Sequence, residues 1–226
     1  MIQIQTCIQA CINSYNGGHG ECDWKIFDEP VEWFHVENTD GYFGFKDDVL
    51  YIVFQGSKGS ADWNNNFKIE MVDFFNHGCK IHKGFLQEYS AVRKMILKKI
   101  DENKRNYFVI TGHSLGGALA EICGYDIVKV SNEFLKPDIM SFGAPALGNR
   151  KFMKDYNKKL KNCSWRFVNG DDIVAKVVPK FFGARQVDNL LRVGKFHLWK
   201  FWGSIEDHYP ELYKKNIERL VPTNIT

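Results

Sequence analysis

"YFVITGHSLGGALAEICGYD", residues 107–126, carries a β-prone apolar run straight into a serine bracketed by glycines and out again into a helical pattern. Tyr107 to Thr111 has the composition of a short buried strand, while Leu115, Leu119, Ile122 and Cys123 recur at helical spacing. Ser114 therefore falls on the turn between them. Gly112-His113-Ser114-Leu115-Gly116 fits G-x-S-x-G, in which a sharp strand-to-helix turn exposes the serine Oγ. Such a turn brings neighbouring chain segments too close for side chains two positions to either side. It also sets the serine at a helix N-terminus, where unpaired N–H groups favour developing negative charge, and makes the Leu115 N–H one donor for an oxyanion. The plain structural alternative is a turn with a capping serine. The strand before and the helix after favour a nucleophile.

A nucleophilic serine needs a base and an acid to orient it, and in this strand–turn–helix setting they follow in the order Ser, Asp/Glu, His. Of seven histidines, His197 and His208 lie well downstream of Ser114. His208 sits in Asp207-His208-Tyr209-Pro210, on a loop just before the last helical pattern, whereas His197 lies within the aromatic run HLWKFW, which reads as packing. His208 is the expected base. For the acid, Asp171 and Asp172 both lie just past a strand, at the sheet edge where active-site loops gather. Aspartate in that place is also a common turn residue or cap, and the residues alone leave the two open.

The rest of the 226-residue chain reads as one domain, residues 1–226, with 44% hydrophobic and 25% charged residues, enough for one sizeable core. The formal net charge of +3 gives no basic excess of the kind that nucleic acid demands. No stretch of 18 apolar residues offers a membrane span, and MIQIQTCIQACINSYN lacks the basic leader and apolar core of a signal peptide. The six cysteines show no C-x-x-C pair, which fits reduced thiols and a cytoplasmic setting.

Helical spacing predicts helices over 2–15, 85–104 and 149–161, and Pro210 opens another to about Leu220. YFGFKDDVLYIVFQ, residues 42–55, reads as a hairpin turning at Lys46-Asp47-Asp48. Further strands are expected at Asp138–Phe142, Trp165–Asn169 and Val187–Val193. Strands alternating with helices make this an α/β protein, with a largely parallel sheet covered on both faces and an antiparallel hairpin ahead of it.

In order along the chain, YIVFQGS (51–57), IHKGF (81–85), ITGHSLGGALA (110–120), SFGAPALGN (141–149), VNGDDIV (168–174) and DHY (207–209) resemble the class 3 lipase family, the fungal triacylglycerol lipase-like α/β-hydrolases. The resemblance implies an α/β-hydrolase fold and a serine carboxylester hydrolase acting on acylglycerol or other fatty-acyl esters. It selects Asp172 as the acid, leaving Asp171 a neighbour, and implies Ser57 as the second oxyanion contributor through its N–H and hydroxyl. Gln55 stands where the family usually has Arg, Ala175-Lys176 replaces the usual Pro, and Ala146 stands where Arg often follows Pro.

The family's lid follows the oxyanion strand, which here means about Lys58 to Asn66. Lys58, Asp62, Asn64, Asn65 and Asn66 make that segment polar, with Trp63 its large apolar side chain, so weak interfacial activation and activity on soluble or short-chain esters are expected. The expected partner is a lipid or small ester, with at most transient contact with a lipid surface, and no nucleic acid. His77, Cys79 and His82 are ligand types close together but fall short of a zinc set, and no phosphate-binding glycine loop or dinucleotide fingerprint calls for a cofactor. Cys7 and Cys11 share a helical face and are expected in the core. Two further readings use the same residues: a binding or signalling module whose triad is idle, and acyl transfer to an alcohol from the same acyl-enzyme.

Overall fold

A computed structural model of the chain describes residues 2–16, 22–57, 70–103, 107–177, 183–196 and 203–220. In chain order the elements are α1 (Ile2–Asn16), β1 (Glu32–Val36), β2 (Thr39–Lys46), β3 (Val49–Phe54), β4 (Met71–Phe74), β5 (Asn76–His82), α2 (Lys83–Glu102) and β6 (Phe108–His113). They continue with α3 (Leu115–Val130), β7 (Asp138–Phe142), α4 (Arg150–Leu160), β8 (Ser164–Asn169), α5 (Ile173–Val177), β9 (Leu190–Val193) and α6 (Pro210–Leu220).

The sheet grows from the hairpin. β2 and β3 pair antiparallel with Lys46 opposite Val49, so the turn is the two residues Asp47 and Asp48, at φ of 48° and 62°. Positive φ at both central residues is the geometry whose twist matches that of the strands, and aspartate tolerates it. β1 adds antiparallel outside β2, and β3, β6, β7, β8 and β9 then run parallel, giving the order β1-β2-β3-β6-β7-β8-β9. β4 and β5 form a separate two-stranded ribbon. This is the mostly parallel sheet with an antiparallel N-terminal hairpin that the alternation of strands and helices predicts.

Because β3, β6 and β7 are buried on both faces, their sequences are near-continuous apolar runs. On one face they pack under α2, α3 and α4; on the other under α1 and α6. α2 buries Phe85, Tyr89, Val92, Ile96 and Ile100, the stripe that its spacing predicts, each side chain contributing about 1.5–3 kcal/mol. Cys7 and Cys11 are fully buried on α1, and all six cysteines are free thiols. Among the described residues no helix is long and apolar enough to cross a membrane.

Two of the boundaries that differ from expectation have a local cause. β9 begins at Leu190 rather than 187, because the segment before it is spent on other bonds: Arg185 pairs with Gly148, and the Val187 carbonyl accepts from Arg166. IHKGF spans the end of β5 and the start of α2, so that helix begins at Lys83 rather than 85. His82 ends β5 and caps α2, its Nδ1 accepting from the Phe85 N–H at 3.4 Å, so Gly84 and Phe85 are helical.

Candidate active site

The elbow follows from backbone crowding. Ser114 joins β6 to α3 at φ 58° and ψ −126°, a conformation that non-glycine residues rarely hold. A Cβ on Gly112 would lie 2.2 Å from the carbonyl carbon and oxygen of Gly116, and one on Gly116 would lie 2.3 Å from the Phe54 carbonyl oxygen. Both contacts are backbone, so neither position accepts a side chain. The turn is held by the Ser114 N–H, which donates to the Phe142 carbonyl at 2.8 Å.

His208 reaches the serine from a short 3-10 turn, Glu206–His208, ahead of α6. Its Nε2 lies 2.9 Å from Ser114 Oγ, and its Nδ1 lies 2.9 Å from Asp172 Oδ2. Of the two adjacent aspartates, Asp172 is the one whose carboxylate meets the imidazole. Asp172 is fully buried and well supplied with donors: Oδ1 accepts from the N–H groups of Val174 (2.8 Å) and Ala175 (3.2 Å), and Oδ2 also accepts from the Tyr213 hydroxyl on α6. Asp171 has a different job, its N–H donating to Asp207 Oδ2 at 2.9 Å while its carbonyl accepts from Ser204 N–H. Asn169 fastens the same loop, donating to the Asp207 carbonyl at 2.9 Å. Gly143, at φ 61°, closes the rim, where a Cβ would fall 2.9 Å from Asp172 Oδ2 and 3.0 Å from the His208 ring.

Behind the imidazole stands His113, the variable residue before the serine. Its ring lies 4.6 Å from that of His208, its Nε2 is 2.7 Å from the His208 carbonyl oxygen, and its Nδ1 is 2.7 Å from the Tyr15 hydroxyl. A carbonyl only accepts, so His113 carries its proton on Nε2 and receives the Tyr15 O–H on Nδ1. Burial, and then the neighbouring His208, push its pKa well below the ordinary value, and it is neutral. The sequence offered no signal for Tyr15 or Tyr213. For His113 the signal was its place inside the motif.

Ser57 and Leu115 border one cavity of about 230 Å³, together with Gly56, Gln55, Leu119 and Glu88. The Leu115 N–H opens α3 and has no backbone acceptor among the described residues. Gln55 is buried and donates its amide to the Ser14 carbonyl at the end of α1, which accounts for a neutral side chain at that position. Trp63, the segment Lys58 to Asn66 and His197 lie outside the described residues. His77 sits beside Asp73 at 3.1 Å on the β4–β5 ribbon, while Cys79 is buried.

The family model for lipase (class 3) matches residues 51–182. The chain is 29% identical over 162 residues to the chloroplastic phospholipase A(1) DAD1 of Arabidopsis thaliana, covering 62% of this chain and 36% of that protein. To secreted mono- and diacylglycerol lipase 1 of Fusarium solani it is 31% identical over 142 residues, covering 60% and 41%. To a lipase of Rhizomucor miehei it is 29% identical over 175 residues, covering 74% and 45%. The chain thus spans less than half the length of these relatives. Among solved structures, a triacylglycerol lipase described as having a serine protease triad as its catalytic centre superposes with a TM-score of 0.77 at 22% identity over 91% of both chains. Lipase II from Rhizopus niveus gives 0.75 at 22% identity over 92% of both. These likenesses carry the fold, which is that of the α/β-hydrolases. With more than half of its residues matched by the family model, the chain belongs to the class 3 lipase family.

Proposed function

We propose that this chain is a serine carboxylester hydrolase, carried by one domain, that cleaves fatty-acyl esters of the acylglycerol kind. The observation that carries this reading is the unbroken line Ser114 Oγ, His208 Nε2, His208 Nδ1, Asp172 Oδ2, with both hydrogen-bonded steps at 2.9 Å. Membership of the lipase family supports it independently.

In this mechanism Ser114 Oγ attacks the acyl carbonyl carbon as His208 Nε2 takes its proton, and the carbonyl electron pair moves onto oxygen. Asp172 holds Nδ1–H and stabilises the imidazolium; its own three donors keep the carboxylate oriented. The oxyanion is met by the Leu115 N–H and by Ser57, a kind of contact whose loss costs about 10²- to 10³-fold in rate. As the tetrahedral intermediate collapses, the C–O bond breaks and His208 returns the proton to the leaving alcohol. Water, deprotonated by the same Nε2, then attacks the acyl-enzyme, releasing the fatty acid and restoring Ser114.

The polar composition of residues 58–66 favours soluble or short-chain esters and weak interfacial activation. A p-nitrophenyl ester series from acetate to palmitate, carried across the solubility limit, tests both statements. Wild type is expected to turn over the short esters and Ser114→Ala, folded by circular dichroism, to lose about 10³-fold or more. Equal turnover by the two chains would sink the mechanism. A tenfold jump on crossing the solubility limit would remove the statement about the lid.

A further inference from the structure

The sheet that carries α3 and α4 continues past β7 to β8 and β9. There a groove of about 1200 Å³ runs between α4 and the segment leading into β9, and its borders include Arg150, Lys151, Lys154, Arg166, Arg185 and Asp188. Four of the five cations, Arg150, Lys151, Lys154 and Arg185, are exposed on the walls. Of these, Lys151 donates to the His77 carbonyl, while Arg150, Lys154 and Arg185 have no ion-pair partner among the described residues. The fifth, Arg166 on β8, is only 6% exposed. Its Nε donates to the Val187 carbonyl at 3.3 Å, and its other guanidinium nitrogens meet no acceptor among the described residues.

Those nitrogens are not shut off from solvent, and Arg166 borders the groove, so an anion lying there would meet free donors. Neither nearby acid takes them up. Glu121 faces Arg166 from α3 but spends one oxygen on the Ser141 hydroxyl and makes no ion pair with the guanidinium, and Asp188 is exposed on the rim. The chain's formal charge is only +3, so five cations around one groove are a local concentration. Among the described residues no aromatic side chain borders the groove to stack a base, and the planar fork of arginine suits a compact, multiply charged oxyanion.

We propose that this groove is a second binding site, apart from the triad, for a phosphate group borne by a lipid head group or by a small soluble phosphate ester. The site lies beside the catalytic loops, since Gln186 on its border donates to the carbonyls of Ala144, next to Gly143, and of Ala175, beyond Asp172. Its existence does not depend on the hydrolase mechanism.

The test titrates the full chain with inorganic phosphate and glycerol 3-phosphate by calorimetry, and sediments it with phosphatidylcholine vesicles with and without phosphatidic acid. The expected result is saturable binding that weakens with salt and falls about tenfold or more in the exposed double charge reversal Lys154→Glu/Arg185→Glu. Arg166→Met is expected to lose binding while keeping every wall cation. Saturation by glycerol 3-phosphate alone assigns a soluble ester, and sedimentation that requires phosphatidic acid assigns the lipid. Absence of saturable binding in both assays overturns the site, as does undiminished binding by the charge-reversed chain or by a folded Arg166→Met chain. Should Arg166→Met not fold, the wall variant decides.

Discussion

His113 packs against His208 and Tyr213 bonds Asp172, and the His113 and Tyr213 rings themselves meet edge to face at 5.8 Å. The Tyr213 hydroxyl shares Asp172 Oδ2 with the imidazole, while His113 holds the carbonyl of His208 itself. Tyr15 in turn donates its hydroxyl to the Nδ1 that the bond to the carbonyl leaves free to accept. His113 touches no reacting atom, so it is a positioning residue. Replacing it with Phe keeps the ring but removes both hydrogen bonds. The expected outcome is a fall of about tenfold or more in kcat with KM little changed, because misplacing a base costs rate more than binding; Tyr15→Phe should give a smaller loss of the same kind. A change confined to KM would deny His113 that role. The choice of Asp172 over Asp171 came from the family resemblance, but at this scale Ser114, His208 and the aspartate pair were legible as candidates because their chemistry demands fixed neighbours: glycines around the serine, a strand end before the aspartates, a loop around the histidine. Tyr15 and Tyr213 were not, since each is a tyrosine on a helix whose partner lies far along the chain, and neither spacing nor composition reports such a pairing.

Between β6 and α3 the elbow is a problem of clearance. The α3 backbone at Gly116 passes so close to β3 that a methyl group would press on the Phe54 carbonyl at 2.3 Å and on the Gln55 backbone at 2.9 Å. Gly116→Ala is therefore expected to lower stability by about 3 kcal/mol or more in urea denaturation, at the upper end of overpacking costs. At Gly117 the nearest atom is a side-chain methyl at 3.0 Å, so Gly117→Ala should cost less. Equal midpoints for the two variants would contradict this account. α2, α4 and α6 were legible in the sequence because each carries one apolar stripe, and α6 begins at Pro210 and ends at Leu220, as its sequence predicts, whereas α3 is buried nearly all round and the short α5 was not anticipated. β1 and the β4–β5 ribbon were not anticipated. β1 is an edge strand with one buried residue, Phe34, in the pattern EWFHV, and β4 with β5 forms a polar ribbon outside the main sheet. Neither has the continuous apolar run that marks a strand covered on both faces.

Across the whole molecule, stability at different pH is set partly by carboxyls folded away from water. Glu121 is buried in α3, and burial raises its pKa from 4.5 to about 7 against the opposing effects of Ser141 and Arg166. A raised carboxyl pKa means that the folded chain holds more protons than the unfolded one between those values. Its contribution is fully present below pH 4.5 and is lost as pH rises through about 7. His113 works in the opposite sense, its depressed pKa costing stability as pH falls below 6.5, so the comparison must be with a Glu121→Gln variant rather than across pH alone. Between pH 5 and pH 8 wild type should lose roughly 2 to 3 kcal/mol more than the variant in denaturant titrations. Parallel losses would mean that Glu121 is not the group responsible.

α1 and α6 lie side by side on the same face of the sheet, joined by Lys214 Nζ donating to Gln9 Oε1 at 2.6 Å across a separation of 205 residues. The first of these helices supplies Tyr15 and the second Tyr213, with His208 just before it. On the ribosome the serine elbow and its aspartate emerge first, while the histidine and its tyrosine brace come only with the last stretch of chain described here. A nascent chain therefore cannot close the line from Ser114 through His208 to Asp172 until the stretch that carries His208 and Tyr213 has left the ribosome and folded back, so under the proposed mechanism the serine stays without its base until then.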